Sequence, residues 1–212
     1  MKCLSLRTFL TDIIVMNLFR SAIFAGIAIG VAGFCYLAIG GVVGAFVFSF
    51  GLLTVLGYKL KLFTGTAGFI GLDDVPSLFL ILLGNIVGCL MIALMTRVSP
   101  LPLQETVQKI MEGRLSAGPL RCGILAVGCG FIMTTVVTFG REKHYLPLLL
   151  GVPLFIFSGF PHCLVDAFYT CALPVDFLSE NIGGLLAHYG CIVLGNFVGC
   201  NLYRIVLPKS LR

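Results

Sequence analysis

The chain has 212 residues, a length at which one or two soluble domains would be ordinary. Its composition excludes that class, because 58% of the residues are hydrophobic and 11% are charged, against about 25% charged in soluble domains. The mean hydropathy is +1.08. The net charge of +5 comes from 14 Lys and Arg residues scattered at the edges of apolar segments, not gathered into the basic patch of a nucleic-acid-binding protein. We expect an all-α integral membrane protein that binds no nucleic acid.

The first 20 residues differ from the apolar sequence that follows them. Charges at Lys2, Arg7, Asp12 and Arg20 interrupt the apolar stretch that a cleavable signal peptide needs. The segment 1–20 therefore predicts an amphipathic helix lying at the membrane interface.

Six later segments approach the length of about 20 apolar residues with which a helix crosses a bilayer. They are Ser21–Leu37, Val42–Leu56, Ser77–Met95, Leu120–Phe139, Leu146–Phe160 and Ala187–Val206. The second and fifth are short, and each continues into apolar sequence containing Gly or Pro, at 57–66 and 158–166. We expect both of these helices to be broken within the membrane, as they are around the binding sites of transporters built from inverted repeats.

The distribution of Lys and Arg predicts the orientation. If the chain crosses the membrane six times, ten of the basic residues lie on the same side as the N-terminus. The other four lie in the connection between the third and fourth spans. The connection after the fifth span carries Asp176 and Glu180 without Lys or Arg. The positive-inside rule then predicts both termini to be cytoplasmic, including a tail at 207–212. We expect a multi-pass protein of the cell inner (plasma) membrane. The basic outer connection would attract anions.

The sequence contains an internal repeat. The motif Gly-Asn-Ile-Val-Gly-Cys at 84–89 returns as Gly-Asn-Phe-Val-Gly-Cys at 195–200, 111 residues later, with five of six residues identical. The halves, about 21–96 and 120–206, each hold three spans, and this odd number predicts that the second half enters the membrane inverted. The glycines of the motif favour close helix packing.

Two further features accompany the repeat. Asn85 and Asn196 are amides at membrane depth, and we interpret them as structural ties that bond backbone groups freed by the breaks, the alternative being a direct role in transport. A Phe-(Thr/Ser)-Gly sequence also occurs near each break, at 63–65 and at 157–159. We expect these two triplets to be equivalent, and the two breaks to face one another along an internal path.

His162 lies in the second break, and an ionisable residue at membrane depth is a candidate functional residue. The alternative is a neutral core histidine bonded to a backbone carbonyl. Asp166 follows by four residues, a helical spacing that would let it orient the imidazole, although it would serve equally as a solvated charge at the headgroups. Apolar residues near the breaks suit either a packed core or a dry constriction; these are Phe48, Leu52, Leu62, Phe63 and Phe155.

No metal or cofactor is expected from the nine cysteines. The sequence has neither a CxxC pair nor a Cys and His cluster at metal-ligand spacing. Most of the cysteines fall in apolar runs, where cysteine packs as a small hydrophobic side chain.

Taken together, the ordered motifs of the chain from about Ala25 to Val206 resemble the formate/nitrite transporter family of bacterial anion channels. The resemblance rests on six stretches, Gly40–Gly44 with Phe48–Leu52, Leu62–Thr66, Gly84–Gly88, Gly123–Ala126, Ser158–His162 and Gly195–Gly199. It implies an aquaporin-like fold with six transmembrane helices, a homopentamer with one pore in each protomer, a channel domain at 21–206, and passage of formate, nitrite, hydrosulfide or a similar small monovalent anion. The protein would not be an enzyme.

The resemblance also implies roles for individual residues. His162 would be the central pore histidine that assists passage by sharing a proton, and Thr64 the threonine of the loop that breaks the second helix. The inner constriction would comprise Phe48, Leu52, Leu62 and Phe155, whereas Phe63 would belong to the outer one.

Three positions depart from the family pattern. Val127 stands where many members have an asparagine after the Gly-Ile-Leu-Ala stretch, and Pro161 replaces a glutamate or similar residue before the histidine. Asp166 stands where a neutral asparagine is common.

The alternatives to an anion channel are an aquaporin-like channel for neutral solutes, an intramembrane enzyme using Cys163 or Ser158 with His162, and a packing subunit without transport of its own.

Overall fold

The computed structural model describes residues 2–71 and 74–207, with side chains from residue 13 onward. Within these residues the chain forms nine α-helices and no strand. The helices are α1 (Lys2–Ile39), α2 (Gly41–Gly57), α3 (Phe63–Ala67), α4 (Val75–Ala93), α5 (Leu103–Ala117), α6 (Pro119–Arg141), α7 (Leu146–Phe157), α8 (Cys163–Ala172) and α9 (Val175–Val206). A 3₁₀ turn, Leu94–Arg97, extends α4.

Among the described residues, four stretches are long and apolar enough to cross a membrane. They are Ile13–Ile39 of α1, Val75–Arg97, α6 and α9. The helices α2, α7 and α8 are apolar but shorter. The helix in the second predicted span, α2, ends at Gly57, and five residues separate it from α3. The helix in the fifth, α7, ends at Phe157, and five residues separate it from α8.

The structure differs from the predicted elements at two places. The segment 1–20 is not a separate helix, because α1 runs without interruption from Lys2 to Ile39. Its predicted interfacial character depends on side chains up to residue 12, which lie outside the described residues, as does most of the predicted tail at 207–212. The outer connection contains an unpredicted helix, α5, whose buried Leu103, Val107 and Met111 recur every four residues and form one apolar stripe.

Glycines determine how closely the long helices approach. A Cβ atom at Gly88 of α4 would collide with the carbonyl oxygen of Ile23 in α1, and a Cβ at Gly199 of α9 would collide with that of Val127 in α6. Because such contacts leave no room for a side chain, the repeated motif packs α4 on α1 and α9 on α6 in the same manner. The re-entering helices α3 and α8 each contact both pairs.

We expect Gly199→Ala to destabilise the protein by about 1–3 kcal/mol or more, because the methyl group overpacks a backbone contact. The matched control is Gly190→Ala in the same helix, where no atom lies within 4 Å of the added Cβ; there, helix propensity favours alanine. Thermal unfolding in detergent measures both variants. Equal unfolding temperatures for the two would contradict the assigned packing.

Candidate functional site

The first break, between α2 and α3, is held by one buried asparagine. Asn85 Oδ1 accepts a hydrogen bond from the N–H of Phe63 at 2.9 Å. Its Nδ2 donates to the carbonyl oxygens of Ala22 at 2.8 Å and Lys61 at 2.9 Å. The amide thereby satisfies backbone groups that the interrupted helix cannot pair by itself.

The second break, between α7 and α8, is held by the same arrangement. Asn196 Oδ1 accepts from the N–H of Cys163 at 2.8 Å. Its Nδ2 donates to the carbonyl oxygens of Ala126 at 2.8 Å and Pro161 at 3.1 Å. Both asparagines are fully buried, and each bonds the first N–H of the helix that follows the break.

These bonds identify which residues of the two breaks are equivalent. Leu62 and His162 both precede the re-entering helix in an extended conformation. The Phe-(Thr/Ser)-Gly triplets are not equivalent, so that expectation is wrong: 63–65 lies after its break in α3, whereas 157–159 lies at the end of α7, before its break. The two triplets are similar in sequence, but the hydrogen bonds of Asn85 and Asn196 show that they lie on opposite sides of their breaks.

His162 meets Thr64 between the two breaks. Its Nε2 lies 3.0 Å from the Thr64 hydroxyl oxygen, and both side chains are buried. The imidazole also stacks on Phe155, with ring centroids 5.7 Å apart and the planes inclined by 30°. The buried pair thus joins the two halves of the chain, 98 residues apart in sequence.

The contacts of the ring determine where its proton lies. Nδ1 accepts a hydrogen bond from the N–H of Val165 at 3.4 Å, so we assign the proton of the neutral ring to Nε2. Nε2–H then donates to the Thr64 oxygen, and the hydroxyl hydrogen of Thr64 stays available to donate to a third group. This arrangement presents a donor to an anion without requiring a charged imidazole.

Two cavities lie toward opposite ends of α6. The first, of about 290 Å³, is lined by His162, Phe48, Phe155, Asp166 and Arg114 among others and is called the histidine cavity. The second, of about 450 Å³, contains the ends of α2 and α6 and four cationic residues and is called the basic cavity. Along α6 they are separated by the 12 positions between Leu125 and Val137, about 18 Å at 1.5 Å per residue.

The apolar site residues are all buried: Phe48, Leu52, Leu62, Phe63 and Phe155. Phe48 and Phe155 contact edge to face, with centroids 6.2 Å apart. Both line the histidine cavity beside α5, which lies in the connection predicted to be outside. Phe48, in the middle of α2, and Phe155, near the end of α7, therefore lie together at the histidine cavity; which constriction they belong to stays a prediction.

Asp166 does not bond the imidazole. Its Oδ2 accepts from the backbone N–H of His162 at 3.1 Å, and its Oδ1 pairs with Arg114 Nε at 3.1 Å. Arg114 also donates to the carbonyl oxygen of Gly159 at 3.0 Å. The carboxylate is therefore neither a ring-orienting partner nor a solvated headgroup charge, since its side chain is 2% exposed. It fixes the backbone of the second break and ties it to α5.

The residues of the alternative enzymatic site are not brought together as a catalytic group. Ser158 is exposed at the end of α7, whereas Cys163 is buried at the start of α8. The sequence did not indicate Arg114 as a partner of the site. It lies in α5, a helix that was not predicted, and α5 places it beside the second break.

We expect Asn196→Ala to lower the unfolding temperature strongly, because it leaves the Cys163 N–H and two carbonyls without their partner, and each buried unsatisfied group costs about 1–3 kcal/mol. The control is Asn181→Ala, which loses one bond to the carbonyl four residues earlier in its own helix. If both variants unfold at the same temperature in detergent, Asn196 does not support the break.

For Asp166 we expect a graded loss of stability. Asp166→Asn keeps an oxygen for the His162 N–H but removes the charge that pairs with Arg114, whereas Asp166→Leu removes both. Breaking a fully buried ion pair costs about 3–5 kcal/mol. The stability lost here should be smaller, because the Arg114 side chain is 20% exposed. Thermal unfolding should rank wild type above Asp166→Asn and that above Asp166→Leu; a leucine variant as stable as wild type would refute the assignment.

The long apolar helices and the buried hydroxyl–imidazole pair between two cavities define a multi-pass membrane transport protein. The model of the formate/nitrite transporter family matches residues 11–208, and the chain belongs to this family. The predicted resemblance is thereby confirmed, as is the expectation that the chain is a transporter and not an enzyme.

Two solved structures share the fold. One is described as a pentameric formate channel with formate bound; it is 22% identical, covers 90% of this chain and 94% of its own, and has a TM-score of 0.77. The other is described as a formate/nitrite transporter family ion channel; it is 19% identical, covers 91% of each chain, and also has a TM-score of 0.77. Comparison with curated proteins gave no significant match.

Proposed function

We propose that this protein is a channel for small monovalent anions of weak acids, of which formate, nitrite and hydrosulfide are examples. The observation that carries the proposal is the Thr64–His162 contact, buried between two cavities that lie toward opposite ends of α6. Family membership and the similar structure described with bound formate support the same substrate class.

The proposed architecture has six spans arranged as two inverted repeats. Crossed hydrogen bonds support it: the Cys89 thiol donates to the carbonyl of Leu164, and the Cys200 thiol donates to that of Thr64. Each thiol belongs to the repeated motif of one half and bonds the second residue of the re-entering helix in the other half. This exchange is what a pseudo-two-fold axis in the membrane plane produces.

The assembly proposed is a homopentamer in the inner (plasma) membrane, with both termini cytoplasmic. The pentameric state described for the similar structure supports the assembly. The excess of Lys and Arg on the side of the N-terminus supports the orientation. In this orientation the histidine cavity opens outward and the basic cavity opens toward the cytoplasm.

The energetics of passage favour a proton-assisted mechanism. Transferring a bare anion into a dry, apolar environment costs tens of kcal/mol on a Born estimate. For a carboxylate with a pKa of about 4, the pKa lies about three units below pH 7, so protonation at this pH costs about 4 kcal/mol. We propose that Phe48, Leu52, Leu62, Phe63 and Phe155 form the apolar part of the path, where the neutral acid crosses at the lower cost.

Thr64 and His162 would act as one hydrogen-bonding unit at the centre of this path. The Thr64 hydroxyl donates to the anion while Nε2–H of His162 donates to the Thr64 oxygen. The neutral imidazole is not itself an acid that gives up this proton. To share a proton, the ring must first gain one at Nδ1, which breaks the 3.4 Å contact from the Val165 N–H. Passage should therefore depend on pH.

The departures from the family pattern bear on this path. At Val127 the asparagine of other members would add a polar contact to the anion, and this chain lacks it. Pro161 supplies a carbonyl that accepts from Asn196 and has no N–H of its own. Asp166 adds a charge that Arg114 balances.

We expect His162→Gln and Thr64→Val each to reduce formate flux in proteoliposomes by about tenfold or more, since one good hydrogen bond to a charged group contributes about 1.5–3 kcal/mol. His162→Gln should also flatten the dependence of flux on pH, because glutamine does not titrate.

His144→Gln, in the exposed connection between α6 and α7, is the matched control and should leave both quantities unchanged. Unaltered flux and pH dependence in His162→Gln would exclude the proton-sharing role. Equal flux of glycerol and formate in wild type would favour the aquaporin-like alternative.

A further inference from the structure

The basic cavity carries more positive charge than passage of a monovalent anion requires. Its cationic residues are Lys59, Lys61, Arg141 and Lys143. None of the residues that line it is acidic, and none of these four side chains forms an ion pair with another described residue. Four positive charges therefore border one concave space, and the described residues that line it include no carboxylate; Glu142, between Arg141 and Lys143 in sequence, lies outside the lining.

Two of these lysines occupy constrained backbone positions. Lys59 and Lys143 follow the ends of α2 and α6 with φ angles of 53° and 66°. Each is enclosed by a backbone bond across it, from the Leu60 N–H to the Val55 carbonyl at 2.8 Å and from the His144 N–H to the Phe139 carbonyl at 3.0 Å. The left-handed region favours glycine or asparagine over lysine. The corresponding residue after α7 is a glycine, with φ of 67°.

The helix dipole explains only part of this charge. A cation near a helix C-terminus is favourable, which accounts for one lysine at the end of α2 and one at the end of α6. It does not account for Lys61, which lies within the first break, or for the convergence of all four residues on the same cavity.

Arg141 connects the cavity to the proposed path. Its guanidinium donates to the carbonyl oxygen of Gly65 at 3.0 Å and lies over the Phe69 ring, 3.7 Å from the centroid. Gly65 and Thr66 line the cavity, and Gly65 directly follows Thr64. A ligand in the basic cavity would therefore lie beside the helix that presents the Thr64 hydroxyl.

We propose that the basic cavity is a binding site for a multivalent anion of the phosphate class, and that its occupancy obstructs anion passage. A monovalent substrate anion balances one of the four charges, whereas a diphosphate balances most of them, and Lys and Arg are the usual ligands of phosphate groups. A volume of about 450 Å³ lies within the range of about 300–1,000 Å³ of small-molecule sites. The obstruction rests on the proposed channel function; the binding does not.

Binding is tested on the full chain in detergent with pyrophosphate as the probe, by isothermal titration calorimetry. The variant is Lys59→Asn with Lys143→Asn, since asparagine removes the charge and tolerates the left-handed backbone. We expect affinity to fall at least about tenfold (about 1.4 kcal/mol). Lys109→Asn, exposed in α5 at the other end of the molecule, should leave it unchanged. Absent binding in wild type, or equal affinity in the double variant, would overturn the proposal.

Flux measurements identify the source of the phosphate group. Pyrophosphate on the face of the basic cavity should reduce formate flux through wild type and not through the double variant in vesicles of neutral lipid. If formate flux is reduced only in vesicles that contain anionic phospholipid, and the reduction is lost in the double variant, the phosphate group is that of a lipid headgroup. Equal reduction in both proteins contradicts the site.

The two proposals fail separately. If pyrophosphate binds wild type selectively but no protein conducts formate, the channel function fails and the site stands. If wild type conducts formate and pyrophosphate neither binds nor reduces flux, the site fails and the channel function stands.

Discussion

The structure depends on satisfying backbone groups where helices stop inside an apolar environment. A break in mid-membrane leaves N–H and C=O groups that neither lipid nor a neighbouring turn can pair. Asn85 and Asn196 solve this for the two breaks with identical sets of three hydrogen bonds each. Each amide also donates to a carbonyl of a neighbouring long helix, Ala22 in α1 or Ala126 in α6, so the break is attached to that helix.

The asparagines are possible only because glycines bring the long helices together. Gly88 lies one turn after Asn85 against α1, and Gly199 lies one turn after Asn196 against α6. At this close approach the amide of one helix reaches the carbonyl of Ala22 or Ala126 in the next. Packing and polar satisfaction are therefore produced by the same six-residue motif, which accounts for its appearance in both halves of the chain.

The two ends of the proposed path differ in how their charges are balanced. On the side of α5, the Arg114 guanidinium is neutralised by Asp166, and both groups hold the second break in place. On the opposite side, the cations of the basic cavity have no such partner among the described residues. The Thr64–His162 pair between them is buried and has no charged side chain as a hydrogen-bond partner, so the unbalanced positive charge of the described residues is concentrated at the basic cavity.

The sequence by itself determined the helical membrane class, the positions of the two breaks, the repeated Asn motif and the family, because apolar length and short motifs are local properties of the chain. It did not determine which residues of the two breaks correspond, that α5 forms, or that Asp166 pairs with Arg114 and not with the imidazole. These outcomes depend on contacts between residues far apart in sequence, such as the 52 positions between Arg114 and Asp166, and only the tertiary structure decides them.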